Sequence, residues 1–116
     1  MKRLITSIAL VAFISGCTIG SSTHEFADVT KAEAIVLRKK PEQGLVYSLS
    51  ISGHGKIDGN AEISLILNGA PYKTEKLTGK IDFRWGGDWY YNQAEIRYNP
   101  GLVTGGNLRL KYKFNN

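Results

Sequence analysis

The sequence predicts an all-β domain, a small antiparallel β-sandwich or barrel of six to seven strands preceded by a flexible tether. Three observations carry that prediction. From Glu33 to the C-terminus, apolar residues recur with period two, the spacing of strands with one buried face. The runs are short and separated by turn-forming dipeptides such as Asp58-Gly59 and Asn68-Gly69, the punctuation of sandwiches and barrels. Beyond the N-terminal segment no convincing amphipathic helix is present. Only Thr30–Lys40 is ambiguous, since Glu33–Lys39 also fits a short helix.

The chain opens MKRLITSIALVAFISGC. Lys2 and Arg3 precede a mostly apolar run from Leu4 to Phe13, too short for a bilayer-spanning helix, which needs roughly 20 residues. A basic start, a short apolar core and then small residues describe a secretory signal peptide. Its end, Ile14-Ser15-Gly16-Cys17, resembles the lipobox of bacterial lipoproteins. The resemblance covers residues 1–17 and implies cleavage before Cys17, a diacylglycerol on its thiol and acylation of its new amine. Cys17 is the sole cysteine, so no disulfide accounts for it. Two or more acyl chains give stable membrane anchoring. In enterobacterial-type lipoproteins the absence of Asp at position 18, here Thr18, implies sorting to the outer membrane, facing the periplasm. No family is recognised for the mature domain.

Three segments follow: a signal peptide over 1–16, a lipidated Cys17 with its tether over 17–30, and a single β domain over 31–116. Losing Lys2 and Arg3 lowers the formal charge from +5 to +3. That surplus suits solubility and weak attraction to anionic surfaces, but not nucleic-acid binding. The tether, small and polar, would span roughly 20 Å if flexible. It contains His24, expected to be solvated.

The elements follow in order. Glu33–Arg38 (EAIVLR) is a short strand, broken by Lys39–Gly44. Leu45, Tyr47, Leu49 and Ile51 then share one face, with serines opposite. Ser52-Gly53-His54-Gly55 is expected as a bulge or bend, and Asp58-Gly59-Asn60 as a tight hairpin turn. Ala61, Ile63, Leu65 and Leu67 form the next inward row, and Asn68-Gly69 a second hairpin turn. Tyr72–Leu77, charged, suits an edge. Ile81, Phe83 and Trp85 face inward on the following strand. Ala94, Ile96 and Tyr98 do so on the next, with turns expected at Asn99-Pro100-Gly101 and Thr104–Asn107. Leu108, Leu110, Tyr112 and Phe114 close the core.

Residues 85–92 (WGGDWYYN) concentrate the aromatics. With Gly86-Gly87-Asp88 reversing the chain, strand parity places Trp85 and Tyr90 in the core, and Trp89 and Tyr91 outward beside Arg97. A bulge near Asn92-Gln93 would reverse that and bury Trp89 and Tyr91. Exposed, they would stack on a sugar ring or anchor a protein interface.

Signals for catalysis are weak. His54, between glycines with Ser50 and Ser52 nearby, lacks a recognisable acid partner or nucleophile. Asp58–Glu62 has oxygen ligands at alternate positions but not the longer acidic-ended calcium loop, and no phosphate-cradling glycine motif joins a strand to a helix. The reading is therefore no enzyme, no catalytic residues, no metal and no cofactor. Arg109, Lys111 and Lys113 form a basic row on the last strand. Such a row suits protection of an edge strand or contact with an anionic partner such as lipid A phosphates, phospholipid head groups or acidic glycans.

Together these features predict a lipid-anchored, non-enzymatic envelope lipoprotein of accessory, inhibitory or immunity type. Its expected partners are the membrane, through the lipid on Cys17, and another envelope protein, with Trp89, Tyr91 and Arg97 as candidate binding residues. The alternative is a glycan or peptidoglycan binding module using the same aromatics.

Overall fold

The computed structural model describes residues 21–116. The signal peptide, the lipobox and Cys17 lie outside the described residues. Five strands form one antiparallel sheet: β1 (Ser22–Glu25), β2 (Glu33–Arg38), β3 (Ser48–Leu67), β4 (Ala70–Asp88) and β5 (Gln93–Asn115). The order is β1-β5-β3-β4, and β2 pairs with the same side of β5 as β1, further along it. β2 coincides with the predicted strand, which settles the helix ambiguity there. The charged Tyr72–Leu77 stretch belongs to β4, an edge strand of the sheet.

The strands are fewer and longer than expected because several turn signals lie inside strands. Asn68-Gly69 is a true turn: Asn68 (φ 54°) and Gly69 (φ 80°) both lie in the left-handed region a tight hairpin needs. Asp58-Gly59-Asn60 instead forms an irregularity within β3, where the register against both β4 and β5 shifts. Gly59 (φ 126°) is required there, since a Cβ would fall 1.6 Å from the Leu102 carbonyl oxygen. Asn99-Pro100-Gly101 and Thr104–Asn107 likewise sit inside β5, opposite that kink. The expected bend at Ser52–Gly55 is absent, for Ser48 to Ile57 pair without a shift against both neighbours.

These irregularities let the sheet double back. Asp88 ends β4 opposite Ser48, whereas β5 begins beside the far end of β3, with Glu95 opposite Ile66. Drawn straight, that part of β3 would span about 60 Å. The four residues Trp89–Asn92 that join β4 to β5 reach less than about 20 Å. The two ends of β3 must therefore approach, and Leu49 and Leu65 line one small cavity with Trp85 and Trp89. Residues 39–47 bridge the ends of β5 in the same way: Lys39 N–H donates to the Asn92 carbonyl at 3.0 Å, and Tyr47 N–H to that of Asn115 at 2.9 Å.

The core fills the space so enclosed. Leu49, Ile51, Ile57, Ile63 and Leu65 from β3 meet Leu77, Ile81, Phe83 and Trp85 from β4, and Ile96, Tyr98, Leu108, Leu110 and Phe114 from β5. The face predicted for Leu45 and Tyr47 does not extend to them: both are exposed and Val46 is buried, since β3 begins only at Ser48.

The N-terminal segment expected as tether belongs to the domain from residue 22. β1 pairs with Arg109–Tyr112, and Phe26 and Val29 enter the core. Two apolar side chains in a polar stretch gave too little periodicity to signal this. Tyr98 donates from its hydroxyl to the Val29 carbonyl at 2.7 Å, fastening the segment down. His24 is half-buried, its ring edge-on to Phe26 and its Nε2 3.4 Å from Glu33 Oε2.

Candidate functional site

The aromatic segment is arranged differently from its parity. Gly86 and Gly87 do not reverse the chain. β4 runs through them to Asp88, with Gly86 opposite Ser50 and Gly87 opposite Leu49. The corner is Trp89–Asn92, outside any strand, so counting back from Ala94 does not reach Tyr90. Trp85 is in the core as predicted. Trp89, outward by parity, is 5 % exposed, whereas Tyr90, inward by parity, is 69 % exposed; Tyr91 is 52 % exposed.

Trp89 anchors the corner. Its backbone N–H donates to the Tyr47 carbonyl at 3.1 Å, and its indole Nε1 to the Gln93 carbonyl at 3.0 Å. Tyr91 meets the indole edge-on at 5.5 Å between ring centroids, and Tyr72 lies tilted at 6.5 Å. Lys73 Nζ stands 5.4 Å from the Tyr72 centroid. The outcome is a rim in which half-exposed Tyr72 and Tyr91 pack on a buried tryptophan, while exposed Tyr47 and Tyr90 join the corner through its backbone. Tyr47 and Tyr72 carried no sequence signal for this, because only the doubled sheet brings them to Trp89.

Arg97 does not join that rim. It points outward from β5 between Ala34 and Ser64, its Nε 2.7 Å from Glu95 Oε2. His54 also faces outward, its Nδ1 3.8 Å from Asp82 Oδ1 across the β3–β4 pair. That contact is electrostatic when the imidazole is protonated and too long for a hydrogen bond. Asp58 is exposed at the kink of β3. Among the described residues no three of His, Cys, Asp and Glu converge to hold a metal ion.

The basic row of β5 is not on an edge. At Arg109 and Lys111 β5 is paired with β3 on one side and β1 on the other, so edge protection does not explain these two, and Lys113 lies one residue past the β1 pairing. Arg109 lies between Glu25 and His54, and Lys111 between Thr23 and Ser52. Arg84 of β4 continues the Lys111–Ser52 row, and Gly86 ends the Lys113–Ser50 row. Ser21, Ser50, Ser52, Gly86, Arg84, Lys111 and Lys113 line a shallow groove of about 300 Å³. Among the described residues, none of these three cations pairs with a carboxylate, whereas Arg109 approaches Glu25 at 3.9 Å.

Comparison with protein-family models, curated proteins and solved structures finds no match to this chain.

Proposed function

We propose that this chain is a lipid-anchored, non-enzymatic binding protein of the cell envelope, held by lipid on Cys17 and contacting another envelope protein through its tyrosine rim. The doubled sheet acts in this reading as a compact two-layer β-sandwich. Placement at the outer membrane, facing the periplasm, rests on the lipobox resemblance and on Thr18. The observation that carries the binding reading is the packing of Tyr72 and Tyr91, both more than half exposed, against the fixed indole of Trp89, with the exposed Tyr47 and Tyr90 tied to the same corner through the backbone. Tyrosine supplies broad contact area at small conformational cost and is enriched in interface cores. Burial of Trp89 favours a protein over a glycan, because the indole face that would stack on a sugar is covered.

The test is photo-crosslinking in the envelope, with the reactive residue at Tyr90 and, as control, at Glu62 on β3. The Tyr90 probe should capture one dominant protein, and Tyr72→Ala with Tyr91→Ala should abolish capture without unfolding. Equal capture from both positions would remove the rim from the reading. Quenching of tryptophan fluorescence by peptidoglycan fragments, with no protein captured, would favour the glycan alternative. Cys17→Ser should abolish acylation and the salt-resistant part of membrane retention, and acylation that persists would refute the anchor.

A further inference from the structure

We infer that the serine-floored basic groove on the outer face of β5, β3 and β4 is a docking site for anionic phospholipid head groups, which lays this face against the membrane that holds Cys17. The inference rests on the lipid anchor proposed above and adds a second, electrostatic contact to it.

Three observations converge. Arg84, Lys111 and Lys113 stand on one face without carboxylate partners among the described residues, and their joint charge equals the whole net charge of the mature chain. Lys111 and Lys113 lie about 7 Å apart along β5, and Arg84 sits two strand spacings, about 10 Å, from Lys111. At such separations, near one Debye length, like charges still repel, and a phosphate between them relieves that repulsion. The floor suits such an anion. Ser50 and Ser52 offer hydroxyl donors, and Gly86 leaves the space above it open, with nothing within 4 Å of where a Cβ would stand.

Acidic groups border the groove without lining it. Glu25 and Asp82 occupy the neighbouring row, where they face Arg109 and His54, and Asp88 lies two residues beyond Gly86.

The path of the chain selects the source of the phosphate. Ser21 lines the groove, and β1, which begins at Ser22, pairs with Tyr112 and Lys111. Cys17 is four residues from Ser21, so an anchored chain reaches at most about 15 Å from lipid to groove. A membrane surface is thus the nearest extended source of phosphate. Each lysine or arginine brought to an anionic surface adds modestly to binding, which reinforces an acyl anchor by restricting how the domain stands on it.

The experiment uses mature chain 17–116 carrying Cys17→Ser, so that no acyl chain contributes. Sedimentation compares vesicles of phosphatidylcholine alone with vesicles of equal parts phosphatidylcholine and phosphatidylglycerol. Partition should favour the anionic vesicles roughly a hundredfold at low salt and fall as salt rises. Lys111→Gln alone should cost about fivefold, and Arg84→Gln, Lys111→Gln and Lys113→Gln together should remove the preference. Gly86→Glu should also remove most of it with unchanged thermal unfolding, since the new side chain enters open space. Equal partition to both vesicles, or a preference that survives the triple change, overturns the proposal. So does binding to a soluble acidic polysaccharide with none to vesicles. Acylation of Cys17 is scored separately on the full chain. Acylation without the vesicle preference overturns the groove alone, and the preference without acylation supports the groove while overturning the anchor.

Discussion

The ring of Phe83 occupies the space where Gly53 would otherwise carry a side chain. The two residues face each other across β3 and β4, and a Cβ at Gly53 would fall 2.1 Å from Phe83 Cε1. Phe83 in turn packs against Trp85 at 4.9 Å between centroids. Gly53→Ala should therefore destabilise the domain by about 1–3 kcal/mol through overpacking. Gly86→Ala, in open space on the same strand pair, should change stability by less than about 0.5 kcal/mol. Denaturant unfolding of the two variants checks the contrast. Phe83→Leu should recover part of the Gly53→Ala loss, giving a non-zero coupling in the double-mutant cycle.

Tyr98 should make stability fall at alkaline pH. Burial, with a smaller contribution from the charge of Asp28, raises its phenol above the ordinary value. The folded state therefore holds this proton more tightly than the unfolded chain. Its contribution is intact below about pH 10 and is lost as pH rises through the folded value. Tyr98→Phe should abolish that component and, by leaving the Val29 carbonyl unpaired, cost about 1–3 kcal/mol at neutral pH. Unfolding curves at neutral and alkaline pH test both effects.

Phe26→Ala should cost about 3–5 kcal/mol, as for other buried aromatics. A flexible tether would give no change, so thermal unfolding of this variant separates the two arrangements.

At the corner, stability and binding should divide between neighbours. Trp89→Ala should destabilise by about 3–5 kcal/mol, since the indole is buried and hydrogen-bonded. Tyr90→Ala should leave stability within about 0.5 kcal/mol of the parent while weakening partner capture by a probe placed at Tyr91 instead. If Tyr90→Ala unfolds the domain, the tyrosine belongs to its framework rather than to its rim.

Asn68-Gly69 and Asp58-Gly59 show what was legible in the sequence and what was not. Both dipeptides allow positive φ, and only the first turns the chain. The second lies where β3 is held on both sides, by β4 and by β5, so pairing overrides the local turn preference. Period two located the inward residues of β4 and β5 correctly, because burial depends on alternation whether or not a strand is interrupted. It misplaced Trp89 and Tyr90, because alternation ceases where the chain leaves the sheet. The row Arg109, Lys111 and Lys113 was visible as a row. That it crosses the middle of a sheet, with Arg84 completing it from another strand, depends on pairings between residues far apart in sequence.

The place of β5 has a consequence for the order in which the molecule comes into being. Its residues, 93–115, come after those of the other described strands, yet β1, β2 and β3 all pair with them. Until they emerge, β1 and β2 have no partner, and a growing chain can form little more than the β3–β4 hairpin. Sheet formation therefore waits for β5, and the fold closes around it.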